Sequence, residues 1–92
     1  IAIDEQQPAS HFALGLLYIR LKEINQALVP LMTAANLFPD NAHYSYVYGV
    51  ALYESGQKDL AITSLKASLK RHPGHPQIMS ALKGYVRALG QK

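Results

Sequence analysis

SYVYGVALYESGQKDLAITSLKASLKRHPG, residues 45–74, decides the fold when laid over HFALGLLYIRLKEINQALVPLMTAANLFPD, residues 11–40. Gly15 returns as Gly49, Ala27 as Ala61, Leu31 as Leu65 and Pro39 as Pro73, each 34 residues on, and Leu28 returns as the similar Ile62. A fixed period of about 34 residues is the signature of helix–turn–helix units that stack, because one unit alone cannot bury its apolar face. Such a pattern points to a binding surface and away from an active site.

Outward from the two copies, the chain reads as five helices. The first is predicted over about Ala9 to Leu21, introduced by Pro8 and a capping-type Ser10. Leu14, Leu17, Tyr18 and Leu21 make one apolar stripe on it at three- and four-residue spacing. The second spans roughly Asn25 to Leu37 and stops before the turn cluster Pro39-Asp40-Asn41. The third, Ala42 to Ser55, ends at Gly56, a good left-handed stop. The fourth runs from Lys58 to Arg71 and is broken by His72-Pro73-Gly74. The fifth begins near Pro76 and ends at Leu89-Gly90, with Ile78, Leu82, Tyr85, Val86 and Leu89 on one face. Gln77, Ser80, Lys83 and Arg87 fall on the other face, as suits a helix closing the end of a stack. Pro30 lies inside the second helix, where the missing N–H predicts a slight bend.

These residues resemble the tetratricopeptide-repeat family. Leu14-Gly15, Tyr18, Ala27, Leu31, Ala34 and Pro39 fit its motif once; Tyr48-Gly49, Leu52, Gly56, Ala61, Leu65, Ser68 and Pro73 fit it again. Ser68 replaces the usual alanine, and His11 and Ser45 stand where a bulky residue is common. The small residues Gly15, Gly49, Ala27 and Ala61 let paired helices approach closely. The resemblance implies an all-α fold, a right-handed superhelical stack of antiparallel helix pairs with about five helices. It divides a single domain into residues 1–7, the tail of an upstream repeat or a linker, 8–41 and 42–75, the two repeats, and 76–92, a capping helix. Lys83 occupies the position of Gly15 and Gly49 in that third register, which argues against close packing by a following helix. Two and a half units read as an excised piece of a longer array, or as a chain completed by a second copy.

In this family the first helices of successive repeats line a concave groove for peptides or partner segments. Carried over position by position, the groove residues are Phe12, Leu16, Ile19 and Arg20, then His43, Tyr46, Val50, Tyr53 and Glu54, with Gln77, Ser80 and Arg87 from the last helix. An apolar and aromatic centre with charged margins is the anatomy of a protein-binding patch. The positions that carry Lys and Asn in carboxylate-clamping relatives are here Phe12, Leu16, Tyr46 and Val50, which disfavours an acidic C-terminal tail as ligand.

Composition narrows the classes further. The formal net charge is +3, yet all six acids precede residue 60 while Lys66, Lys70, Arg71, Lys83, Arg87 and Lys92 follow it. No run of aromatics interleaves these cations, so nucleic acid is disfavoured and a solvated basic end is the simpler account. Cysteine is absent, which removes disulfides, thiolate metal sites and covalent haem attachment. His72 and His75 give too few ligands for a metal, and no catalytic triad, paired carboxylate or phosphate loop is present. No apolar run approaches the ~20 residues of a membrane span. The expectation is a non-enzymatic protein–protein interaction module without cofactors, binding a protein or peptide in the aromatic groove, in the cytoplasm or a bacterial periplasm. The alternatives are the structural end of a longer array that self-associates into a homo-oligomer, and, by weaker resemblance, an accessory domain of a bacterial cytochrome c assembly or multihaem protein.

Overall fold

The computed structural model describes residues 7–90; the expected upstream tail, Gln7 apart, lies outside them. Five α-helices and no strands occur among these residues: α1 Pro8–Arg20, α2 Ile24–Leu37, α3 Ala42–Glu54, α4 Lys58–Arg71 and α5 Pro76–Gly90. Each helix packs on the next in chain order, and α5 reaches back to touch α3. The result is an elongated body of 44 × 28 × 17 Å, as expected when units stack along one axis.

The helix ends show why the sequence turns where it does. Pro8 sits in the first turn of α1, whose N-cap is Gln7 without a side-chain bond. Ser10 therefore lies inside the helix, not at its cap. Pro8 accounts for this, because its fixed φ and absent N–H suit the first turn. Asn41 caps α3 by accepting from the Tyr44 N–H at 3.2 Å. The two turns inside the units, α1–α2 and α3–α4, close with the same pair of bonds. After α1, Lys22 N–H donates to the Ile19 carbonyl and Glu23 N–H to the Tyr18 carbonyl. After α3, Gly56 N–H donates to Tyr53 and Gln57 N–H to Leu52. The left-handed position is Gly56 in the second turn (φ 96°) and Lys22 in the first (φ 61°).

Small residues set the core. Ala27, Leu31, Ala34, Ala61, Leu65 and Ile78 are wholly buried, with Ala51 and Leu52 nearly so. Burying each large apolar side chain among them contributes roughly 1.5–3 kcal/mol. A Cβ placed on Gly15 would stand 2.5 Å from Leu31 Cδ2, and one on Gly49 would stand 2.5 Å from Leu65 Cδ2. The same leucine-on-glycine contact thus locks α1 to α2 and α3 to α4. Pro30 is the seventh residue of α2 and is buried, in a helix that runs unbroken to Leu37. Between the units, Arg71 Nη2 meets Asp40 Oδ1 at 2.9 Å, and His72 Nε2 lies 3.1 Å from the Pro39 carbonyl.

Leu17 and Leu21, expected in the core stripe of α1, are 43% and 58% exposed. α2 covers only the Gly15 side of α1, and Leu17 stands where Ala51 stands in the second unit, on the side turned away from the following helix pair. In α3 that side is buried against Ala27 and Leu31. In α1 no described element covers it. Val86, expected on the packed face of α5, is likewise 47% exposed, because no described helix covers that side of α5.

Candidate functional site

The groove residues expected from the sequence lie on α1, α3 and α5, the first helices of the successive units. Phe12 from α1 stacks on Tyr44 of α3 with ring centroids 4.5 Å apart, and meets His43 edge-on at 5.5 Å. His43 in turn faces Tyr46 at 6.4 Å, the ring planes 29° apart. These rings form a continuous aromatic ladder across the α1–α3 junction, an arrangement favoured by the ring quadrupoles. Leu16 and Val50 are half-buried beside it, and Arg20 and Glu54 are exposed at its margins.

Phe12 and Ile19 also pack against the Ala27–Leu31–Ala51 core, so these two serve the fold as well as the face. Tyr44 was not anticipated. It caps the ladder by touching both Phe12 and Phe38; the available signal was the 34-residue offset that pairs it with Ile78, also an inward-facing residue.

Towards α5 the face changes character. Tyr53 and Tyr85 lie ring on ring, centroids 3.7 Å apart and planes 6° from parallel. Lys58 Nζ stands 5.4 Å from the Tyr53 centroid, a cation–π contact on the same ring. Tyr53 thus joins α3 to α5. Burial raises the Tyr85 phenol above its ordinary 10.0, and the nearby Glu54 carboxylate, Tyr46 and Tyr53 push it the same way. Tyr46, Tyr53, Tyr85 and Glu54 therefore form one electrostatic neighbourhood. Burial alone raises Tyr48.

Arg87 and Ser80 lie on α5. They line an open groove of about 820 Å³ at the α4–α5 end, with Lys66, Leu69, Met79, Leu82, Lys83 and Val86. His75, weighed in the sequence as half of a metal pair, accepts from the Ile78 N–H through Nδ1 at 3.4 Å, and so caps α5. Among the described residues no cluster of three or more His, Cys, Asp or Glu is placed to hold a metal. None of the described helices is long and apolar enough to cross a membrane.

Comparison with known proteins agrees with this geometry. Residues 45–75 match the tetratricopeptide-repeat family model. No curated protein matches the chain. Among solved structures, one of a mutant of MamA superposes with a TM-score of 0.78 at 27% identity, over 92% of this chain and 47% of that one. The present chain therefore spans about half the length of that relative. The second unit is thus matched to a tetratricopeptide repeat, and the first is built on the same glycine–leucine contact, so the chain has the all-α helical-repeat fold of that family.

Proposed function

We propose that the α1–α3–α5 face binds a segment of a partner protein, and that the chain acts as a non-enzymatic adaptor. The observation that carries this is the aromatic ladder of Phe12, Tyr44, His43 and Tyr46. It leaves half-buried apolar side chains, Leu16 and Val50, beside rings that already pack in fixed orientations. Preorganised aromatic surface loses little conformational freedom on binding, which is why such residues dominate interface energetics. Arg20 and Glu54 at the margins would fix the direction of the bound segment through opposite charges.

The test is selection of binders from a displayed random peptide library, followed by mapping of each binder by NMR chemical shifts. Peptides that shift Leu16, His43, Tyr46 and Val50, and that lose at least tenfold in affinity against Tyr46→Ala, a change of about 1.4 kcal/mol, would support the assignment. Tyr46 is the residue to change because Tyr53 is tied up with Tyr85. Binders that all map elsewhere, or that tolerate Tyr46→Ala, would refute it.

A further inference from the structure

The groove at the α4–α5 end is a separate surface, and its chemistry specifies what fits. In the first two units, the face of α1 bearing Gly15 is covered by α2, and the face of α3 bearing Gly49 by α4. The corresponding face of α5, with Leu82 and Val86, lines the open groove together with Leu69 and Met79. Its place in the repeat is thus that of a helix seat, filled by α2 and α4 in the two preceding units.

It departs from those examples at one position. Lys83 stands 34 residues after Gly49. A leucine like Leu31 or Leu65 has no room against a residue with a side chain, since even a Cβ at Gly15 or Gly49 would be 2.5 Å from the leucine. Around the apolar floor the charged lining residues are all cations, Lys66, Lys83 and Arg87, and no acid follows Asp59 in the sequence.

We infer that this groove docks an amphipathic helix of another polypeptide, with an apolar stripe and an acidic residue where α2 and α4 carry Leu31 and Leu65. The acid pairs with Lys83, and further carboxylates meet Lys66 and Arg87. Opposite charges at an apolar seat steer the encounter and select the partner. Among its described helices, a second copy of this chain offers no such acidic, apolar occupant. α1, α4 and α5 carry net positive charge, α2 carries none, and α3, with Glu54, is packed between α2 and α4.

Two synthetic 14-residue peptides test this, both with the apolar spacing of α4 and glutamates on the opposite face. One carries Glu at the Leu65 position, the other Leu. Labelled peptides are titrated with the chain by fluorescence anisotropy at low and high salt. The Glu peptide is expected to bind about tenfold more tightly than the Leu peptide, the factor equal to about 1.4 kcal/mol. That preference should shrink at high salt, vanish with Lys83→Glu, and invert with Lys83→Gly. Val86→Asp, at an exposed position, should abolish binding of both; circular dichroism would establish that each variant keeps its helices.

Equal binding of the two peptides, or binding of neither, overturns the inference. So does concentration-dependent dimerisation in sedimentation that Val86→Asp abolishes, which would make the second copy the occupant.

Discussion

Leu31 lies on Gly15 so closely that a single added carbon on the glycine would stand 2.5 Å from Leu31 Cδ2. Leu65 and Gly49 repeat the contact 34 residues later. Helix propensity alone would favour alanine at both glycines by about 1 kcal/mol, so the close approach of the helices has overridden a local preference. Gly15→Ala and Gly49→Ala are each expected to destabilise the fold by about 1–3 kcal/mol through overpacking. Gly84→Ala supplies the contrast. Nothing lies within 4 Å of a Cβ there, and the change should stabilise α5 by about 0.5–1 kcal/mol. Urea denaturation of the three variants checks both signs.

Lys22 occupies the left-handed position that Gly56 holds in the other unit. A side chain there costs about 1–2 kcal/mol relative to unstrained backbone. Lys22 is exposed, so Lys22→Gly removes strain without removing buried contacts, and about 1 kcal/mol of stabilisation is expected. Gly56→Lys should cost about the same. A melting temperature that falls in Lys22→Gly would show that the lysine stabilises the turn in another way.

Tyr85 and Tyr48 should ionise late, because burial raises both phenols above the ordinary 10.0. For an acid whose folded pKa is raised, the associated stability is complete below the unfolded value of 10.0 and is lost as pH rises through the folded value. The chain should therefore loosen at strongly alkaline pH. Glu54→Gln should bring one of the two late ionisations to lower pH and leave the other in place, since Glu54 acts on Tyr85 only. An absorbance titration in which Glu54→Gln shifts neither ionisation would contradict this placement of charge.

Leu17 and Leu21 should tolerate change that Leu52 does not. Leu17→Gln and Leu21→Gln, at exposed positions, are expected to alter stability by no more than about 0.5 kcal/mol. Leu52→Ala should cost about 2–5 kcal/mol by leaving a cavity. Thermal denaturation of the three variants measures the difference. A Leu17 variant as damaged as Leu52→Ala would mean that α1 is covered on its outer side.

The repeat made the architecture legible because Gly15, Gly49, Ala27 and Ala61 each answer to one local requirement, the separation of two paired helices. All five helices fall within one or two residues of their expected bounds for that reason. Periodicity could not say which side of α1 lacks a neighbour. That depends on the order of stacking, and so Leu17 and Leu21 were expected inside. Lys22 concealed a left-handed turn that Gly56 displays openly. For the candidate face, position in the repeat assigns Phe12, Leu16, Tyr46 and Val50 to the first helices α1 and α3. The stacking of Tyr85 on Tyr53 was not legible in this way, because position 85 corresponds to Ala51 in the previous unit, and an alanine gives no hint of a ring. Arg87, assigned by the same rule to the groove, lines the open α4–α5 end.

The parallel Tyr53–Tyr85 pair also gives the molecule a built-in optical signal. The chain has six tyrosines and no tryptophan, so its near-ultraviolet spectrum comes chiefly from phenol rings, with two phenylalanines contributing at shorter wavelength. Two chromophores held 3.7 Å apart with their ring planes nearly parallel couple their transitions and produce circular dichroism that separated rings do not. That band reports whether α5 is seated on α3, independently of the helical signal in the far ultraviolet. Detachment of the last helix could then be followed in the unlabelled chain while the first two helix pairs remain folded.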